Sequence, residues 1–183
     1  MPTYILHGGE ASSETPTNES FWNLMATSLP EGGMWLGCYF ARYNEFAQEK
    51  FDRDAHKIRR NAPLNATCEM AYEDAFEDQV QKADVIYFAG GSTLGLLNNL
   101  KSFPNIKEQL SGKKVIAGCS AGMNLLGQKF LTKKGEHGEG LGLIPYNLIV
   151  HHNAPQYMEA HRLNPLPTPI LALQETQFCV IQT

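Results

Sequence analysis

Gly118-Cys119-Ser120-Ala121-Gly122 has the G-x-S-x-G spacing. It stands between an apolar run, Val115-Ile116-Ala117, and Met123-Asn124-Leu125-Leu126, which can open a helix. A sharp strand-to-helix turn of this composition lifts a serine hydroxyl above the end of a sheet, because the glycines leave room for a strained backbone. The start of the helix adds backbone N–H groups and a positive dipole end where an oxyanion would develop. The chemistry this predicts is nucleophilic attack on a carbonyl by Ser120. The same residues also suit an ordinary glycine-rich turn, so the reading needs partners for the serine.

A serine hydroxyl is a poor nucleophile until a base takes its proton. The sequence offers His7, His56, His137, His151, His152 and His161. His56 sits among charges in a predicted helix, His161 stands beside Arg162 in another, and His137 lies in a polar stretch. His7 ends a predicted strand and can pack against the Gly8-Gly9 turn. His151 and His152 follow Leu148-Ile149-Val150 directly, which places them at a strand end, the address of a catalytic base. Adjacent residues leaving a strand point to opposite sides, so one of the pair should face Ser120.

The third member of such a set is a carboxylate that orients the imidazole. Glu136 and Glu139 lie between the elbow and the histidine pair and are the candidates, although either also reads as a solvated loop charge. Gly90 and Gly91, closing the run Asp84-Val85-Ile86-Tyr87-Phe88, can supply oxyanion-binding N–H groups together with the amide of Ala121.

These stretches require elements that bring them to one rim. Apolar runs at Tyr4–Leu6, Met34–Phe40, Thr67–Ala71, Asp84–Phe88, Lys113–Gly118, Leu148–Val150, Ile170–Leu173 and Phe178–Ile181 predict strands. Helices are predicted from Glu19 towards Leu29 with Asn18 as cap, over 44–60, over Tyr72–Lys82, over Leu94–Leu100 and over Ile106–Leu110. Residues 132–142, rich in Gly and charge, read as a loop. The alternation implies βα units: an α/β fold with a mostly parallel sheet and helices on both faces. In such sheets ligands bind off the carboxyl ends of the strands, where Gly90-Gly91, Ser120 and His151-His152 all fall.

The bulk properties fit this. A chain of 183 residues suits one domain, with 43% hydrophobic and 19% charged residues. A net charge of −4 disfavours a nucleic-acid partner, which would need a basic face. Cys38, Cys68, Cys119 and Cys179 form no C-x-x-C pair, and the pattern favours a reducing compartment. The N-terminal stretch lacks a signal-peptide pattern, and no apolar run reaches the ~18 residues that suggest a membrane span. The expectation is a cytoplasmic protein with no membrane association. No H-E-x-x-H motif or Cys/His ligand cluster appears, so neither a metal nor a cofactor is expected.

Four stretches, in order, resemble the dipeptidase E and cyanophycinase family of serine peptidases. They are VIYFAGGSTLGLL (Val85–Leu97), IAGCSAGM (Ile116–Met123), GLGLIPYNLIVHH (Gly140–His152) and PILALQETQFCVI (Pro169–Ile181). The resemblance implies a class I glutamine-amidotransferase-like (flavodoxin-like) three-layer sandwich with Ser120 as nucleophile and Gly91 and Ala121, with Gly90, at the oxyanion site. Class I amidotransferases carry a cysteine at the related elbow. Glycines stand two positions either side of Ser120, whereas Ala117 and Ala121 flank Cys119, so the spacing selects the serine. The family pattern around the base selects His151, and a frame one residue longer selects His152. The family acid falls midway between elbow and base, nearest Glu136, with Glu139 as the alternative. The family continues past its final strand pair, whereas this sequence stops at Thr183; the domain over 1–183 is read as a short member or one lacking its extreme C-terminal strand.

The resemblance therefore implies a metal-independent exopeptidase acting on small peptides, dipeptides with an N-terminal aspartate foremost. Arg162, shortly after the histidine pair, is the candidate for binding the aspartate carboxylate. A cyanophycinase-like hydrolase of β-aspartyl peptides is the close alternative. A non-catalytic binding or regulatory member of the same fold is the alternative from another class. The oligomeric state is left open.

Overall fold

The computed structural model describes residues 2–42, 44–132 and 135–182. Thr183, the end point of the sequence-based domain reading, lies outside the described residues, as do Lys133 and Lys134 of the predicted 132–142 loop.

The main sheet has six strands. They are β1 (Thr3–His7), β2 (Met34–Cys38), β3 (Thr67–Met70), β4 (Val85–Phe88), β5 (Val115–Cys119) and β10 (Phe178–Gln182), in the spatial order β10-β1-β5-β4-β2-β3. All neighbours run parallel except β10, which pairs antiparallel with β1. Alternation along the strands sends side chains to two cores. On β4, Ile86 and Phe88 join one core and Val85 and Tyr87 the other. Both faces are covered, which is why the central strands read as continuous apolar runs rather than as an alternating pattern.

One face is packed by α1 (Pro16–Thr27) and α2 (Asn44–Arg59), through Phe21, Trp22, Met25, Phe51, Ala55 and Ile58. The other is packed by α3 (Phe76–Lys82), α4 (Thr93–Leu100), α5 (Ile106–Ser111) and α6 (Ala121–Leu126), through residues such as Phe76, Leu96, Ile106 and Met123. This is the three-layer α/β architecture predicted from the sequence.

Local expectations differ in several places: the helix predicted over Tyr72–Lys82 opens only at Phe76, and β6 (Lys129–Leu131) is a strand absent from the predicted set. Helix α1 starts earlier than predicted, at Pro16. Thr15 is its cap, accepting the Asn18 N–H, and Asn18 lies buried inside the helix. Proline at the first helical position, with no N–H to satisfy, makes Thr15-Pro16 the better start. The predicted loop over 132–142 contains a strand, β7 (His137–Glu139), which pairs antiparallel with β6 (Lys129–Leu131). Its exposed His137 and Glu139 hide the strand among polar residues.

These strands belong to a second sheet in the order β7-β6-β8-β9, where β8 is Asn147–Ile149 and β9 is Ile170–Ala172. Strand β8 runs parallel to both β6 and β9. Helix α7 (Pro155–Leu163) follows β8, and its Ala160 packs with Leu131, Ile149 and Leu166. Leu148 points into the main core and joins the small sheet to the large one.

Candidate active site

Ser120 forms the corner between β5 and α6, with φ 50° and ψ −106°. An L-residue adopts this backbone only under local constraint. A Cβ on Gly122 would stand 1.9 Å from the Phe88 carbonyl oxygen, and one on Gly118 would stand 2.4 Å from that of Gly122. The two glycines of the motif are thus required by close backbone approach, as a strand-to-helix elbow demands.

The serine hydroxyl lies 2.9 Å from His151 Nε2. The other ring nitrogen, Nδ1, lies 2.8 Å from a carboxylate oxygen of Glu175. With Nδ1–H donated to the carboxylate, Nε2 is left to accept the serine proton, so the three are aligned in one hydrogen-bonded chain of the kind a nucleophile, a base and an orienting acid would form. Tyr157 of α7 stacks on the His151 ring with centroids 5.5 Å apart. The Glu175 N–H donates to Asn153 Oδ1 at 2.9 Å, which ties the loop after β9 to the segment that carries His151.

The chain leaving β1 holds these groups together. The His7 carbonyl accepts the N–H of Ser120, the Gly8 carbonyl that of His151, and the Gly9 carbonyl that of Thr176, each at 2.9 Å. All three donors have positive φ, 50°, 51° and 61°. One short run of backbone therefore pins three strained corners, those of Ser120, His151 and Thr176, the neighbour of Glu175.

His7 itself is buried beside this run. Its Nδ1 accepts the Gly9 N–H at 3.1 Å, so the ring proton sits on Nε2, 2.8 Å from Asn18 Oδ1. The Asn18 amide donates onward to the carbonyls of Glu10 and Ser13. Burial pulls the His7 pKa from its usual 6.5 down to about 4, against the Asn18 hydrogen bond and with the nearby His151 charge adding to the fall. His7 is thus a neutral structural histidine. Cys119 is buried, and burial pushes its thiol up to about 11, so it is no rival nucleophile at neutral pH.

A cavity of about 250 Å³ opens at Ser120 and His151, and Gly90 and Gly91 line it. Among the described residues, the amides of Gly90 and Gly91 donate to no backbone carbonyl. The Ala121 amide opens α6, where no earlier carbonyl can take it. Glu10, Ser12, Arg42 and Lys50 also line the cavity. Two larger depressions, of about 420 and 400 Å³, do not include Ser120. No group of three or more His, Cys, Asp or Glu among the described residues is placed to hold a metal ion.

Of the sequence candidates, Ser120 and His151 meet. His152 is half-buried, anchored by its N–H to the Leu173 carbonyl, and makes no hydrogen bond to Ser120. The acid position differs from the expectation. Glu136 is exposed and bonded to Thr132, and Glu139 is exposed on β7 opposite Lys129. The reason is topological: β6 separates β7 from β8, whereas β9 pairs with β8 directly and in parallel, so Glu175 after β9 reaches the same rim as His151 after β8. Arg162 also differs from its expected place, being exposed on α7 in a bidentate pair with Glu159. Glu175 lies within the PILALQETQFCVI stretch, directly after the predicted strand Ile170–Leu173. That position after the final βα unit is the signal the sequence offers for it.

The structure is thus an α/β sandwich that carries a serine elbow beside a histidine and a carboxylate. Its fold is shared by two solved structures. One is a peptidase from an acI-B1 actinobacterium, with TM-score 0.74 and 19% identity over 100% of this chain and 84% of that one. The other is a candidate peptidase E protein from Listeria monocytogenes EGD-e, with TM-score 0.72 and 14% identity over 100% of this chain and 99% of that one. Residues 62–183 match the sequence model of peptidase family S51, and the chain belongs to that family. A Peptidase E from Shewanella amazonensis (strain ATCC BAA-1098 / SB2B) is 30% identical over 148 residues, which is 68% of this chain. The chain spans 63% of the length of that relative.

Proposed function

We propose that this chain is a serine exopeptidase that hydrolyses small peptides, dipeptides with an N-terminal aspartate in particular. The observation that carries the reading is the unbroken chain Ser120 Oγ–His151 Nε2, His151 Nδ1–Glu175. In this mechanism His151 takes the Ser120 proton as Oγ attacks the scissile carbonyl, and Glu175 holds the ring and stabilises its positive charge. The developing oxyanion lies against the amides of Gly91 and Ala121, with Gly90 adjacent. His151 then returns the proton to the leaving amine, and water repeats the cycle to release the acyl residue. Membership of a peptidase family and the small cavity at the serine support this reading over a β-aspartyl polymer hydrolase, which would need a longer groove.

A non-catalytic role would have no need of strained corners holding an aligned serine, imidazole and carboxylate. The free cysteines Cys38, Cys68, Cys119 and Cys179 suit the cytoplasm, and no described helix is long and apolar enough to cross a membrane. The test is labelling by a fluorophosphonate probe together with hydrolysis of Asp-X, Glu-X and β-Asp-X dipeptides. Labelling and Asp-X turnover that vanish in Ser120→Ala are expected. An unlabelled wild type, or turnover that survives in Ser120→Ala, would sink the serine mechanism.

A further inference from the structure

We propose that Arg42 and Glu10 are the specificity residues of this cavity, Arg42 binding a side-chain carboxylate on the acyl residue of the substrate and Glu10 its α-ammonium. The proposal rests on the serine-peptidase reading above and assigns the groups that choose the substrate.

Three charged residues line the cavity beside Ser120: Glu10, Arg42 and Lys50. Lys50 is already committed. It is bonded to Asp54, itself buried and also accepting the Tyr39 hydroxyl, so the pair adds no net charge to the cavity. Arg42 and Glu10 have no ion pair or side-chain hydrogen bond among the described residues. Arg42 is exposed where it lines the cavity, on a wall that it shares with Tyr87. The cavity thus presents one uncommitted charge of each sign, and a ligand with a carboxylate and an ammonium close together matches it. Arginine is suited to the carboxylate because its fork donates in pairs.

Topology decides which part of the substrate Arg42 meets. The leaving amine takes its proton from His151, which is fastened to the chain leaving β1. Ser120 follows β5. Arg42 follows β2, which lies on the other side of β5 from β1, with β4 between. Arg42 therefore faces the acyl half of the substrate and not the leaving group. The Glu10–Ser12 segment, although it follows β1, is held against α1 and against α2, the helix that follows Arg42, because the Ala11 carbonyl accepts from Trp22 Nε1 and Lys57 reaches the carbonyls of Ala11 and Ser12. A cavity of about 250 Å³ has room for one small acyl residue carrying both groups.

The experiment uses the full chain with Ser120→Ala, titrated calorimetrically with Asp-Ala, Asn-Ala and N-acetyl-Asp-Ala. Asp-Ala should bind about tenfold or more tightly than either analogue, the scale of one charge-assisted hydrogen bond that each analogue is unable to make. Adding Arg42→Met should bring Asp-Ala and Asn-Ala to equal affinity, with Arg42→Lys restoring part of the difference. Adding Glu10→Gln should remove the preference for the free amine and leave the Asp/Asn ratio intact. Equal binding of Asp-Ala and Asn-Ala, no measurable binding of Asp-Ala, or ratios that the variants leave unchanged would overturn the proposal. Fluorophosphonate labelling of the Ser120-bearing protein separates the two levels. Labelling without an Asp/Asn difference leaves the peptidase reading standing and removes this one. An Asp/Asn difference without labelling supports Arg42 and removes the serine mechanism.

Discussion

Gly9 runs beneath the imidazole of His151 so closely that a Cβ on it would stand 2.2 Å from Cε1 and 2.5 Å from Nδ1 of that ring. Its φ of 146° is also one that side chains resist. Gly9→Ala should therefore push His151 off the line between Ser120 and Glu175. Misplacing a catalytic group by about 1 Å costs on the order of 10²-fold in rate, so kcat should fall at least that far. Far-UV circular dichroism should be unchanged, because Gly9 lies outside the strands. A Gly9→Ala variant with wild-type kcat would show that the ring does not need this close approach.

The second prediction separates Glu175 from Glu136. Glu175→Gln leaves the shape but removes the charge and adds an NH2 that can donate to His151 Nδ1, so the side chain no longer fixes the tautomer. Loss of this function in a triad reaches about 10⁴-fold in kcat. Glu175 is partly solvated, its side chain 35% exposed, so about 10²- to 10⁴-fold is expected here. Glu136→Gln should stay within about twofold of wild type, as an exposed charge outside the site. The reverse ranking in steady-state kinetics would return the acid to the segment before β8.

How much of this is legible in the residues alone follows from the range of the interactions involved. The Ser120 corner is local: Gly118, Gly122 and the flanking apolar runs lie within a few residues of it. His151 is legible because it ends an apolar strand. Glu175 is not, because its role depends on β9 lying beside β8, a pairing between segments more than twenty residues apart. Neither strand carries a mark of its partner. Asn18 suits a helix cap by residue type, yet the fold uses it to hold His7 and the carbonyls of Glu10 and Ser13. Distance along the chain from His151 puts Arg162 near the site, whereas helical spacing gives it to Glu159.

Cys119 stands next to Ser120 but should behave as a core residue. Its thiol is held protonated by burial, with a pKa raised to about 11. Incubation with iodoacetamide at pH 7.5 should leave fluorophosphonate labelling undiminished, since the thiolate is the reactive form. Cys119→Ala should keep turnover within about threefold, with a modest loss of stability from the vacated volume. Cys119 lines the cavity, so rapid alkylation that blocks labelling would mean that its thiolate forms at neutral pH in spite of burial.

The last prediction concerns His7 and acid. Its pKa is about 4 in the folded chain against the usual 6.5, so between these values the unfolded chain binds the extra proton and the folded one does not. Unfolding free energy should therefore rise with pH across that window, by up to about 1.4 kcal/mol per pH unit from this group, and His7 should add no further slope above pH 6.5. The direction follows from the hydrogen bonds. Protonation would place a hydrogen on Nδ1, where the Gly9 N–H now donates, and would set two donors against each other in a buried site. Gly9 is also the backbone under His151, so the acid that charges His7 should loosen the base as well. Urea midpoints measured from pH 4.5 to 7.5 on wild type and His7→Gln should show a shallower slope in the variant. Should the variant fail to fold, the Cε1 proton of His7 in the wild type gives the same answer by NMR. A midpoint near 4 is the expected result, and one near 6.5 would mean that His7 is neither buried nor bonded as described.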